Sequence, residues 1–188
     1  MIDLSKELNV FKTETFESYF INTNLDVSIE DRVEMIRDCV RQHNRRIDKV
    51  EPPKHFPTIK IDQYDIFPIY DKLFSTFVTL AQKHLQFEIQ PWSGRNIWLY
   101  YNNKDFECNY GIHNHINKTI VCVYYLNVPD EQKEGDGVIG FYDNEQIKIF
   151  DFKPKTNDMI IFPGYLNHSV TPYKGEEPRL SFVMELEC

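Results

Sequence analysis

The sequence is short of positive charge, with 21 lysines and arginines against 29 aspartates and glutamates and a formal net charge of -8 over 188 residues. Non-specific gripping of phosphates needs clustered basic side chains, so this balance argues against a nucleic-acid partner. No apolar stretch is long enough to cross a bilayer, and the opening MIDLSKELNVF has neither the basic end nor the apolar run of an export signal. A membrane partner is therefore not expected. The cysteines Cys39, Cys108, Cys122 and Cys188 show no CxxC spacing. Four free, buried thiols and a reducing, cytoplasmic setting are the default expectation. Internal repeats and low-complexity tracts are absent too, which removes repeat architectures and long disordered tails.

What is present suits a single packed core. Hydrophobic residues make up 41% of the chain, and 14 Phe with 11 Tyr favour an aromatic-packed, β-rich interior. The length predicts one domain over 1–188, with a helical N-terminal part at about 1–86 and a β core at about 87–188. In the first part, Ser28 and Asp31 resemble a loose capping box, and Ile29, Val33, Ile36 and Val40 recur at helical spacing up to about Arg46. Glu51-Pro52-Pro53 and Pro57 read as an extended connector. A second helix is expected from about Pro68 to Leu85, with Ile69, Leu73, Phe77 and Leu80 on one stripe.

From Phe87 the pattern turns to strands. Asn96 to Tyr100, Ile120 to Val128, Val138 to Tyr142, Ile147 to Phe152, Met159 to Phe162 and Leu180 to Leu186 are short β-branched or aromatic runs. Turn-forming groups such as Glu134-Gly135-Asp136-Gly137 and Lys155-Thr156-Asn157-Asp158 separate them. Many short strands at near-regular spacing predict a mainly β sandwich or barrel, with the helices packed as a buttress outside one sheet.

The chemistry sits in the histidines. His113-Asn114-His115 places two imidazoles at i and i+2, the same face of a strand, where both can meet one cation. His168 can complete a facial set of three. His43, His55 and His84 lack such spacing and read as ordinary surface or helix-end residues. Further on, Arg179-Leu180-Ser181 puts a guanidinium and a hydroxyl on one strand face, a pairing suited to gripping a carboxylate. Tyr124 or Tyr125 can add a phenol to the same pocket, or serve the core.

These residues sit in a longer pattern: Ile97-Trp98, His113-Asn114-His115, Val123-Tyr124-Tyr125-Leu126-Asn127-Val128-Pro129, Gly140-Phe141-Tyr142-Asp143, Phe162-Pro163, Leu166-Asn167-His168 and Arg179-Leu180-Ser181. The pattern, over roughly residues 96 to 186, resembles the short phage and bacterial 2-oxoglutarate/Fe(II)-dependent oxygenases, relatives of the prolyl hydroxylases. That resemblance implies a double-stranded β-helix, or jelly roll. It also implies Fe(II), 2-oxoglutarate and dioxygen, used in an oxidative decarboxylation coupled to hydroxylation of a small-molecule or peptide substrate. His113 and His168 match the family's two histidines, and His115 stands where the family usually has Asp or Glu. Arg179 with Ser181 would then hold the distal carboxylate of 2-oxoglutarate. Three facial ligands leave three positions, two for the bidentate oxo-acid and one for dioxygen, and three neutral imidazoles make the loaded centre neutral overall. If His115 is not a ligand, Asp143 is a spare carboxylate near the barrel mouth. Asn157 stands where related sequences often carry glycine, and asparagine tolerates a left-handed turn.

Two other classes use similar residues. A three-histidine zinc hydratase or hydrolase also takes HxH with a distant histidine, but it has no use for Arg179-Leu180-Ser181. A non-catalytic cupin-like binding protein would hold metal without consuming an oxo-acid. The string HNH does not mark an HNH nuclease, whose histidines are spread through a different element.

Overall fold

The computed structural model describes residues 9–12, 19–47, 58–60, 68–85, 95–105, 110–115 and 119–187. His55, Cys108 and Cys188 lie outside these residues. Among the described residues, two helices, α1 (Ile29–Ile47) and α2 (Pro68–Leu85), accompany eleven strands. In chain order these are β1 (Asn9–Lys12), β2 (Tyr19–Asn24), β3 (Thr58–Lys60), β4 (Arg95–Asn102), β5 (Tyr110–His113), β6 (Thr119–Asn127), β7 (Ile139–Tyr142), β8 (Lys148–Phe152), β9 (Asp158–Pro163), β10 (Asn167–Val170) and β11 (Arg179–Glu187).

The strands form two antiparallel sheets, a seven-stranded one in the order β1-β2-β9-β6-β11-β4-β3 and a four-stranded one in the order β5-β10-β7-β8. This is the jelly roll that the resemblance implied. Alternation along each central strand makes two cores. On β6, Ile120, Cys122, Tyr124 and Leu126 face the helices, while Val121, Val123 and Tyr125 face the small sheet. On β11, Leu180, Phe182, Met184 and Leu186 join the helix-side core. Between the sheets, Phe141 is fully buried, with Phe20 and Phe162 edge-on to its ring at centroid distances of 5.2 Å and 5.1 Å.

The second helix follows its sequence pattern, with Ile69, Leu73, Phe77 and Leu80 all buried. The first begins as read, the Asp31 amide donating to Ser28 Oγ, but its buried face is rotated. Ile29 and Val33 are exposed, and Met35, Asp38 and Cys39 are buried instead. Asp38 can enter because Gln42 and the Tyr70 hydroxyl of α2 donate to its carboxylate. Cys39 and Cys122 are free and buried, and burial pushes both thiols up.

Among the described residues, the N-terminal part adds three strands to the two helices its sequence predicts. It supplies β1, β2 and β3 to the large sheet, and β2 pairs with β9 from Ile21↔Ile161 to Asn24↔Asp158. Phe20 enters one core and Ile21 the other, so a strand buried on both faces leaves no two-residue alternation to read. Asn157 takes φ 71°, the left-handed turn expected of it, and its side-chain oxygen accepts the Tyr124 hydroxyl at 2.9 Å.

Candidate metal centre

Antiparallel pairing of β5 with β10 puts His113 directly opposite His168, which explains how residues far apart in sequence meet. His115 follows just beyond the end of β5, its amide donating to the Gly164 carbonyl at 2.7 Å. One ligand atom from each of the three histidines lies within 4.8 Å of the others. The rings of His113 and His168 are 4.3 Å apart at their centroids, and those of His115 and His168 stack at 5.1 Å.

In each ring Nδ1 is already engaged. His113 Nδ1 meets the Gly111 carbonyl oxygen at 2.8 Å, His168 Nδ1 meets that of Leu166 at 3.0 Å, and His115 Nδ1 contacts Glu185 Oε1. An acceptor on Nδ1 fixes the proton there and leaves the Nε2 lone pair for a metal. Burial, with the neighbouring charge of His113 adding to it, pushes the His168 pKa down to about 3 against the opposing Leu166 carbonyl bond. Burial also lowers that of His113. Neutral imidazole is the form that binds metal, so this donor set fits a divalent ion.

The His168 shift has a measurable consequence in metal-free protein. Between its ordinary value of 6.5 and about 3, the unfolded chain protonates this ring and the folded chain does not, so stability falls as pH drops below 6.5 and is unaffected above it. Metal-free protein should have a lower urea midpoint at pH 5 than at pH 7.5, and His168→Leu should narrow that gap. An undiminished gap in the variant would assign the acid sensitivity to other groups.

The histidines line a cavity of about 530 Å³ counting its open mouth, together with Arg179, Ser181 and Asn102. Val121, Val123, Ile139, Val170 and Val183 give it apolar walls. Arg179 is 3% exposed; its Nη2 donates to the Gly137 carbonyl at 3.0 Å, and its guanidinium lies 5.1 Å from the centroid of the Tyr125 ring. Gly137 has φ 60°, and a Cβ there would sit 2.8 Å from Arg179 Nε, so this turn needs glycine on both counts. Burial raises the Tyr125 phenol to about 12, with the Arg179 charge opposing.

Tyr125 lines the cavity; Tyr124 does not. Successive residues of β6 point to opposite faces, and Tyr124 belongs to the helix-side core, which corrects the expectation that either phenol can serve the pocket. Asp143 is a turn residue whose carboxylate accepts from the amides of Glu145 and Ile147, and it lies outside the histidine cluster. His84 sits in the last turn of α2, away from the site.

Two residues of the site escaped the sequence reading. Asn102 is opposite Arg179 across the β4–β11 ladder, and its buried Oδ1 has no hydrogen-bond partner among the described residues. Finding it required the strand register. Glu185 could have been found, since it continues the two-residue spacing of Arg179, Ser181 and Val183 along β11.

Comparison with known proteins bears on the fold and the family. A family model described as "Putative 2OG-Fe(II) oxygenase" matches residues 96–185. No curated protein matches the sequence. Among solved structures, a prolyl-4-hydroxylase from Pseudomonas putida is similar at TM-score 0.65 and 14% identity, covering 89% of this chain and 91% of that one. A Trichoplax adhaerens prolyl hydroxylase, solved with a peptide fragment of a hypoxia-inducible factor oxygen degradation domain, is similar at TM-score 0.63 and 15% identity, covering 89% and 83%. The viral collagen prolyl hydroxylase of Paramecium bursaria Chlorella virus-1, solved with 2-oxoglutarate, is similar at TM-score 0.56 and 15% identity, covering 90% and 96%. At these identities the structural likeness establishes the fold. Nothing among the matches supports the zinc hydratase, zinc hydrolase or cupin-like alternatives. Residues 96–185 of this chain are thus similar to the 2OG-Fe(II) oxygenase family, on a fold shared with the prolyl hydroxylases.

Proposed function

We propose that this protein is an Fe(II)- and 2-oxoglutarate-dependent dioxygenase in which His113, His115 and His168 hold the iron and Arg179 with Ser181 binds the cosubstrate. The observation that carries the residue assignment is one cavity, walled by valines, that is lined by both three imidazoles and a buried guanidinium. A short dicarboxylic oxo-acid has matching parts, with a chelating oxo-acid head, an apolar middle and an anionic tail. Iron with 2-oxoglutarate supplies the oxidising chemistry, as dioxygen is consumed, 2-oxoglutarate loses carbon dioxide to give succinate, and a substrate C–H becomes C–OH. The chain's own work is positioning. Nδ1 acceptors aim the imidazoles, Val121, Val123 and Val183 exclude water, and Arg179 fixes the cosubstrate's tail.

The pairing of β2 with β9 supports a single oxygenase domain over the whole chain. A small-molecule or peptide substrate suits the open cavity mouth and the acidic net charge of -8, and the Trichoplax neighbour carries a peptide. Free, buried Cys39 and Cys122 favour a reducing, cytoplasmic setting.

The test needs no substrate. Adding Fe(II) and 2-oxoglutarate anaerobically to metal-free protein should produce the visible charge-transfer band of the chelate. A protein that takes up iron but shows no band with saturating 2-oxoglutarate is not an oxygenase of this kind.

A further inference from the structure

We propose that Glu185 is the positioning residue for His115 and returns to the metal centre, one residue outward, the negative charge that the family's usual Asp or Glu ligand would bring. This rests on the reading above, in which His115 faces the metal.

Strand β11 sets the geometry. Leu180, Phe182, Met184 and Leu186 enter the helix-side core, so Arg179, Ser181, Val183 and Glu185 share the opposite face. The first three line the cavity. Glu185 continues the line, and its Oε1 contacts His115 Nδ1, with the two side chains only 12% and 20% exposed. Glu185 is not part of the mutual cluster formed by the histidine donors, so it backs a ligand rather than joining the set.

The three histidines are not held alike. His113 and His168 each lean on a backbone carbonyl of their own segment, from Gly111 and Leu166. His115 lies beyond the end of β5 and is held instead by a carboxylate from a distant strand. A carboxylate on Nδ1 orients the ring and makes Nε2 a stronger donor, and loss of such a partner typically weakens metal binding about 10- to 100-fold. Counting three imidazoles alone leaves the loaded centre neutral, whereas Glu185 adds back one negative charge. The same contact sets a condition on the ligand. With Asp at position 115, two carboxylates would face each other and repel.

That condition gives a test whose sign distinguishes this role from simple structural support. Fe(II) affinity is measured anaerobically by competition with a chromophoric chelator for wild type, Glu185→Gln, His115→Asp and the double variant, with circular dichroism checking the fold. In the wild-type background, Glu185→Gln should weaken Fe(II) binding about 10- to 100-fold. In the His115→Asp background, the same substitution should strengthen it. Glu185→Asp, which keeps the charge at shorter reach, should recover part of the loss and serves where the glutamine variant folds poorly. Equal weakening in both backgrounds, or unchanged affinity in Glu185→Gln, would overturn the proposal while leaving the oxygenase reading in place. Wild-type protein that binds no Fe(II) would overturn the oxygenase reading itself, and this proposal with it.

Discussion

Purified His168→Ala is expected to lose stoichiometric iron while keeping its fold. His168 is 5% exposed and lies opposite His113 across the β5–β10 ladder, with the third imidazole stacked on it at 5.1 Å. Removing it takes away one of three donors and leaves two on the short segment 113–115. Loss of a residue that merely backs a ligand costs about 10- to 100-fold in affinity, so loss of the ligand should cost well over 100-fold. The fold should survive because the ring's neighbours, Phe141 and Phe162, belong to a core built from both sheets. Burying that ring also makes the protein more acid-sensitive, and truncation relieves this. Metal analysis of wild type and variant, with circular dichroism as the fold check, decides the matter. Full iron occupancy in folded His168→Ala would remove the basis of the metal assignment.

The parts of this molecule that were readable from its residues share a physical feature, namely a local period. Ile69, Leu73, Phe77 and Leu80 repeat at helical spacing and all turn inward on α2. The HxH spacing is likewise local, and β6 shows itself as one short unbroken run of β-branched and aromatic residues. Strands β2, β5 and β10 carry no such signal. Tyr19–Asn24 is buried on both faces at Phe20 and Ile21, and Asn167–Val170 is largely polar because it carries the site. Pairing with distant partners, rather than propensity, makes them strands. The first helix shows the opposite failure. Its apolar stripe at Ile29 and Val33 is real in the sequence, yet the hydrogen bonds that satisfy Asp38 draw a neighbouring face inward. Within the site, the histidines and Arg179 were visible as types and spacings. Asn102 was not, since it joins Arg179 only through the register of two strands.

Arg179→Ala is expected to leave Fe(II) binding nearly unchanged and to weaken 2-oxoglutarate binding by about 2 to 5 kcal/mol, the usual cost of deleting one member of a buried charge-assisted pair. The guanidinium is 3% exposed, and two features hold it in place before any ligand arrives. One is the Gly137 carbonyl at 3.0 Å; the other is the Tyr125 ring at 5.1 Å. A preorganised cation spends little entropy on capturing an anion, which is why its loss should appear in cosubstrate affinity rather than in metal affinity. Arg179→Lys should recover only part of the loss, because an ammonium lacks the planar fork that can meet both carboxylate oxygens. Ser181→Ala, on the same strand face, should cost about 1 kcal/mol, as for a single hydrogen bond. Anaerobic titration of each Fe(II)-loaded variant with 2-oxoglutarate, followed at the chelate band, gives the affinities. Equal affinity in wild type and Arg179→Ala would place the cosubstrate's tail elsewhere in the cavity and leave the arginine a structural clamp on the turn at Gly137, through the carbonyl it already holds.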